Sequence, residues 1–582
     1  VIPGWPGGCA NDLCSPPHGQ IPLRACGIIA NNWLWAGEGS APSFPPPAKG
    51  SQQPICPRFL PVGGRGQGKK KRAASRRRTW KIEEVSRLRY SSTRDSSLQV
   101  SSSEAILQGI SKDGGLFVPE TIPAFAPGEL AQLQGSSYQE VASAVLSRYL
   151  TDFSQEEIDT CVKKAYGSKF PEGEAPLAAL KDGLQVLELW HGPTCAFKDM
   201  ALQMLPQLLT VANKKAGDGK TILILVATSG DTGKAALEGF CDVPGTEIAV
   251  FSPQDGVSHM QKRQMVTQAG ENVHVCGVDG NFDDCQTGVK RIFTDGHAAA
   301  ELAAKGMRFS SANSINWGRL APQIVYYVYA YLEMCRAGQV AMGEPVNFAV
   351  PTGNFGNILA AYFAKEMGVP VGKLICASNR NNVLTDFLRE GRYDRNRPFY
   401  TTLSPSMDIL VSSNLERLLY LLSGRDDGLI GRLYRDLSDS GRFAVKEEML
   451  GRLKESFAAG CADDAETSAA IKEVYDRSGY LCDPHTAVAF KVYGEYRAAT
   501  GDKTPTVVVS TASPYKFPAS VLEALGGELP GKNDFSILSS LEERSGAPAP
   551  VALKALRDKP IRFGDCCMPG EMFGWVKAVL NI

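Results

Sequence analysis

The chain has 582 residues, 43% hydrophobic and 21% charged, enough to bury a large core over about three or four domains. Its 62 basic and 62 acidic side chains cancel, but residues 1–82 hold only Asp12 and Glu38 as acids against a dozen Lys and Arg, so the rest is net acidic and argues against a nucleic-acid-binding body. The fifteen cysteines form no CxxC pair and no zinc-spaced group, and no apolar run approaches a membrane span; they read as reduced thiols, with no metal site and no membrane role.

Residues 1–89 are rich in Pro, Gly, Arg and Ser and lack sustained periodicity, which predicts a disordered basic leader. Such a stretch suits an organellar transit peptide, and equally an upstream segment joined by faulty gene prediction. The expected location is therefore cytoplasmic, or plastid if the leader is a true transit peptide. From Tyr90 the composition changes. Helix character at 103–110, a glycine-forced turn in KDGGLFVPE, and helical patterns at 138–149 and 155–166 predict a small, mostly helical N-terminal domain over 90–183.

Beyond residue 184 strand and helix patterns alternate. The apolar run 221–227 passes through TSGDTG into a helix at 234–240, 247–252 leads into 257–269, and 346–351 passes through TGNFGN into 358–367. Further strands are expected at 373–377 and 506–510, and a buried helix around 324–332. Repeated strand–loop–helix units predict an α/β fold with two parallel-sheet domains, 184–345 and 346–531, and ligands at the carboxyl ends of strands. The polar helical stretch 424–480 reads as an insertion into the second domain, and 532–582 as a C-terminal tail.

Three segments carry chemistry. In HGPTCAFKD, residues 191–199, Lys198 sits where a loop gives way to an apolar helical stripe through Met200, Leu202, Leu205 and Leu209. The helix dipole and desolvation there would both lower its pKa toward the free amine that attacks carbonyls. In PTGNFGN, residues 351–357, Gly353 and Gly356 leave room for backbone NH groups to converge on a phosphate at a helix start, and without a P-loop lysine a nucleoside triphosphate is not implied. TSGDTG adds Ser229, Asp231 and Thr232, which would bind a carboxylate or phosphate, or merely cap the helix. Two anion-binding loops and one lysine suit pyridoxal 5'-phosphate with an anionic substrate.

The segments HGPTCAFKDMALQ, ATSGDTGKAA, NFDDCQ, NSINWGR, PTGNFGN, PSMDILVSSNLERLLY and STASPYKF stand in the order found in threonine synthases of the bacterial and fungal type. The chain resembles that family over residues 90–519. The resemblance implies a fold type II pyridoxal phosphate enzyme, tryptophan synthase β-like, converting O-phospho-L-homoserine and water to L-threonine and phosphate as a monomer or homodimer. It also implies roles. Lys198 would bond the cofactor aldehyde and act as general base; Gly353, Asn354, Phe355, Gly356 and Asn357 would hold its phosphate; Thr511 would face its ring nitrogen. Ser229, Gly230, Asp231, Thr232 and Gly233 would receive the substrate carboxylate, with Asn316, Arg319 and Lys516 for the substrate phosphate or for structure. TASPYKF departs from the family's usual TAHPAKF at Ser513 and Tyr515, and Cys195 replaces an apolar residue. A phospholyase acting on a similar substrate and a non-catalytic cofactor carrier are the competing readings.

Overall fold

In the strand Thr221–Ala227 successive side chains enter two different cores. Ile222, Ile224 and Val226 join the main apolar cluster, whereas Leu223, Leu225 and Ala227 pack into a second one on the other face. A strand buried on both faces needs the continuous apolar run that the sequence shows here. The computed structural model describes residues 87–582 except 182, 229, 255 and 256, and all but the side chain of 283. The leader, to residue 86, and Ser229 lie outside the described residues.

Thr221–Ala227 is interior to a five-stranded sheet in the order Cys566–Cys567, Val273–Val278, Thr246–Pro253, Thr221–Ala227, Met307–Ser311, every pairing parallel. A six-stranded sheet runs Phe457–Cys461, Val371–Ser378, Val346–Pro351, Thr506–Ser510, Gln185–Glu188, Leu177–Ala179; only the last pair is antiparallel. The expected α/β class with two parallel sheets is borne out. Helix Trp317–Arg336 is buried along most of its length. Its Trp317 ring lies 5.4 to 5.5 Å from the rings of Tyr90, Tyr149 and Phe363, joining the N-terminal segment to the helix Gly356–Glu366.

The N-terminal segment pairs Tyr90–Ser92 with Gln99–Val100 and Phe117–Pro119 in a small antiparallel sheet. Its helices Ser102–Gln108, Tyr138–Tyr149 and Gln155–Ala165 each begin with a capping box, Ser101 with Glu104, Ser137 with Glu140 and Ser154 with Glu157, so the Ser-x-x-Glu spacing fixes all three starts.

Three readings need amendment. Gln185–Glu188 lies in the six-stranded sheet beside Thr506–Ser510, so a division at 345 does not separate the two sheets. Within 424–480, the helices Asp427–Ser440, Glu447–Ser456 and Asp464–Ser478 flank Phe457–Cys461, an edge strand of the same sheet; the stretch is partly sheet. The C-terminal stretch is packed: Cys566–Cys567 extends the five-stranded sheet, and Met572 and Val576 enter its second core.

Candidate functional site

Lys198 caps a single helical turn, Asp199–Leu202, and a separate helix Leu205–Ala216 follows with Pro206 in its first turn. Proline lacks the NH a continuous helix would need there, so the long helix whose dipole was expected to act on Lys198 is absent. Burial replaces it: desolvation, aided by Lys516 and Arg319 and opposed by Asp231, holds the Lys198 ammonium below its usual range. The loop before it is fixed from within. The Asp199 carboxylate accepts from the Thr194 amide at 2.8 Å and its hydroxyl at 2.7 Å, and a Cβ on Gly192 would come within 2.6 Å of Asp199 Oδ2. Cys195, at φ 58°, is buried, and burial pushes its thiol up to about 12; it behaves as the apolar residue it replaces.

The same loop is stitched to Thr511. Phe197 NH donates to the Thr511 carbonyl at 2.8 Å, Ser513 NH donates to the Cys195 carbonyl at 3.0 Å, and Ala196 bridges Ala512. Lys198 and Thr511 therefore keep a fixed separation, and both line one cavity of about 200 Å³ with residues 352–357, Arg319 and Thr232. Its size suits a small molecule.

Around the Lys198 amine the polar groups form a closed network. Lys198 Nζ donates to Asp231 Oδ2 at 3.2 Å and to Ser406 Oγ at 3.0 Å, and Ser406 Oγ donates to Asp231 Oδ2 at 3.1 Å. On the other carboxylate oxygen, Lys516 Nζ lies at 2.6 Å and Gln261 Nε2 donates at 2.8 Å. Burial disfavours the Asp231 charge, but Lys198 and Lys516 outweigh it and hold the carboxyl well below the usual carboxylate range.

The phosphate-loop residues meet the Ser406 turn. A Cβ on Gly353 would stand 2.9 Å from the Ser406 carbonyl, so glycine there is required by chain packing. Ser412 Oγ donates to the Gly353 carbonyl at 2.8 Å, and Asn414 donates to Asn354 through both its amide and Nδ2 at 3.1 Å. Phe355, the N-cap of Gly356–Glu366, takes a left-handed φ of 62° and supplies no side-chain cap. Asn357 receives the Tyr326 and Tyr327 hydroxyls on Oδ1, at 2.5 and 2.7 Å, while its buried Nδ2 has no partner among the described residues. An uncapped helix start with a spare amide donor suits a phosphate group.

The remaining candidates divide. Arg319 is buried on the cavity wall, donating to the Ala312 carbonyl at 2.8 Å and to Thr232 Oγ1 at 3.4 Å; among the described residues no carboxylate pairs with it, and burial pulls it down to about 10. Asn316 caps Trp317–Arg336 through Gly318 NH and spends Nδ2 on the Ile106 and Ser311 carbonyls. Lys516 is fully buried and spends its ammonium on Asp231 and on the Thr194 carbonyl at 3.0 Å. For these two the structural alternative describes the contacts. The Gly230 and Gly233 amides donate to Thr228 Oγ1 at 3.0 and 2.8 Å. Tyr515 turns away from the cavity: its hydroxyl bonds Ser545 Oγ and the Ala547 carbonyl, and Ser513 Oγ accepts from Tyr515 NH. The family departure there secures the helix Asp534–Ser545.

Sequence reasoning missed Ser406, Asp408, Asp483 and His485. Asp408 accepts from Thr402, Asn379 and Asn381 beneath the Ser406 turn. CDPHT carried a cap signal, Asp before Pro, but nothing local tied it to residue 406.

Three family models match: threonine synthase N terminus over residues 89–166, pyridoxal-phosphate dependent enzyme over 173–432, and threonine synthase C-terminal over 486–566. Threonine synthase-like 1 of Homo sapiens is 43% identical over 435 residues, 73% of this chain and 58% of that protein; the chain thus spans little more than half of that relative. Threonine synthase of Pseudomonas aeruginosa is 40% identical over 444 residues, 76% of this chain and 92% of the relative. The crystal structure of pyridoxal-phosphate-bound threonine synthase from Brucella melitensis superposes with a TM-score of 0.75 at 37% identity, covering 85% of this chain and 100% of its own.

Proposed function

Because the chain belongs to the threonine synthase family of pyridoxal-phosphate-dependent enzymes, we propose that it converts O-phospho-L-homoserine and water to L-threonine and phosphate. One observation carries the reading: a buried amine with a lowered pKa, a neutral hydroxyl at Thr511, an uncapped glycine-bearing helix start and a buried guanidinium at Arg319, with no carboxylate partner among the described residues, all line one small cavity.

Lys198 would hold the cofactor, residues 353–357 its phosphate, and Thr511 would meet its ring nitrogen. When bound, pyridoxal phosphate supplies an electron sink for charge developing at substrate carbons. The chain's own work is placement of charge and protons. The Lys198 amine, whose charged form burial disfavours, serves as general base at Cα and Cβ and returns protons later. A hydroxyl at Thr511 adds no negative charge beside the ring nitrogen, which favours β,γ chemistry over transamination. Arg319 with the Thr232 hydroxyl offers planar, charge-assisted donors to the substrate phosphate. The side chain of Asp231, already an anion shared by two lysines, does not itself receive a substrate carboxylate; a backbone contact at that helix start is the form the role takes.

The test is release of phosphate and threonine from O-phospho-L-homoserine by the purified chain, with and without added pyridoxal phosphate. Equal yields of both products support the reading. Phosphate with a keto acid and no threonine identifies a phospholyase, and cofactor binding without turnover identifies a carrier.

A further inference from the structure

The helix Pro484–Thr500 begins with Asp483 as its N-cap and Pro484 in the first turn. Asp483 is fully buried and His485 nearly so. Asp483 Oδ1 takes the His485 amide at 2.9 Å and the ring Nδ1 at 2.7 Å, while Oδ2 takes the Thr486 amide at 3.4 Å and the Thr486 hydroxyl. Capping explains the amide contacts. It does not explain the ring. With Nδ1–H directed at a carboxylate, Nε2 is the acceptor face of the imidazole, and it accepts the Ser406 amide at 3.2 Å, across 79 residues of chain.

Ser406 belongs to the short turn Pro405–Met407, and its hydroxyl is the group shared between Lys198 Nζ and Asp231 Oδ2. The same cap reaches a second site residue: the Thr511 amide donates to Thr486 Oγ1 at 3.2 Å. One helix start thus holds both the turn that touches the lysine and the residue assigned to the ring nitrogen. His485 is itself held edge-on by the Phe517 ring at 5.1 Å, so its orientation is not free to drift.

We propose that Asp483 and His485 are positioning residues for Lys198: through the Ser406 amide they fix a hydroxyl that directs the lysine amine into the cavity and shares its proton with Asp231. This rests on Lys198 being the cofactor lysine, and not on which substrate the enzyme takes. The charged groups that act on the Lys198 amine are Asp231, Lys516 and Arg319, and all three are unchanged in the variants used below; His485, which acts on Asp231, is kept in Ser406→Ala and replaced in the other two. Ser406 contributes the remaining hydrogen bond.

The test compares Ser406→Ala, His485→Asn and His485→Gln in the full chain loaded with pyridoxal phosphate. Gln places an acceptor near the position of Nε2 and can still take the Ser406 amide; Asn reaches only the position of Nδ1. The first readout needs no substrate: the pH midpoint of the visible absorption of the bound cofactor. Ser406→Ala and His485→Asn should shift that midpoint in the same direction, with His485→Gln staying near wild type. In turnover, the first two should lower kcat by about tenfold or more with KM within about threefold, and Gln should restore most of the loss. An unmoved midpoint in Ser406→Ala overturns the proposal, as does a His485→Gln variant as impaired as His485→Asn. Should His485→Asn not fold, Ser406→Ala and His485→Gln decide the matter alone. Loss of the absorption band in Lys198→Ala checks the premise separately.

Discussion

Asp231→Asn isolates the electrostatic core of the site, because it keeps the side-chain shape and removes one charge facing two ammoniums. Lys198 and Lys516 lie 3.2 and 2.6 Å from the Asp231 oxygens, with Lys516 fully buried. At about 3 Å and an effective dielectric near 20, each contact is worth on the order of 5 kcal/mol before desolvation. Removing one partner of a buried pair leaves the other charge uncompensated, which costs about 3–5 kcal/mol net. The loss should appear in the cofactor-free protein as a lowered urea midpoint with unchanged slope. Its pH dependence has a definite sign. The folded Asp231 carboxyl is held well below its ordinary value, so its contribution is complete above the unfolded value of about 3.9 and is lost as pH falls through the lower folded value. The gap between wild type and variant should therefore be flat from about pH 5 to 8 and narrow below about pH 4. A gap under about 1 kcal/mol at neutral pH, or one that widens in acid, would refute the argument.

Other outcomes follow from single contacts. Asp199 is fully buried, and burial raises its carboxyl to about 6 despite the bonds from Thr194; the folded state holds this proton more tightly, so Asp199 costs stability increasingly as pH rises from about 4 to 6. Urea titrations should show Asp199→Asn flattening the slope in that window, and an unchanged slope counts against the raised value. A Cβ on Gly239 would come within 1.9 Å of the Leu202 carbonyl, backbone of the turn that Lys198 caps. Gly239→Ala should cost about 1–3 kcal/mol or more in denaturant unfolding, and a neutral result would show that the two helices can part. Lys198→Ala should abolish both the visible band of bound cofactor and threonine formation; a variant retaining both would identify another lysine.

The elements easiest to read in the sequence were those whose burial is symmetric. Thr221–Ala227, Val346–Pro351 and Thr506–Ser510 are buried along nearly all their length, and each reads as a mostly apolar run, interrupted by Asn347 in the second, that ends at the expected residue. QVLE at 185–188 and FAAGC at 457–461 mix polar or small residues with apolar ones, so neither carries a period of two or a β-branched run. Their place in the sheet comes from partners far along the chain. Lys198 and the 353–357 loop were singled out by the family resemblance, since a helix-opening lysine and a glycine-bearing turn are each common by themselves, and the fold brings both to one cavity. Asp483, His485 and Ser406 were not, since a histidine after Asp-Pro looks like any helix start until the fold brings Ser406 to its ring. Lys516 shows the converse: a lysine suited on paper to an anion faces Asp231.

Thr506–Ser510 lies between Val346–Pro351 and Gln185–Glu188, although more than three hundred residues separate it from the second of these. During synthesis Gln185–Glu188 must therefore wait with one flank unpaired until residue 510 has left the ribosome, and an open flank of that kind invites mispairing. Thr511 and the bridge to residue 196 arrive only with that strand, so cofactor has no finished pocket to enter on a partly made chain. The lobe built around 221–311 can collapse early; the chemistry is assembled near the close of translation, and nascent chains halted before residue 506 should show no affinity for pyridoxal phosphate.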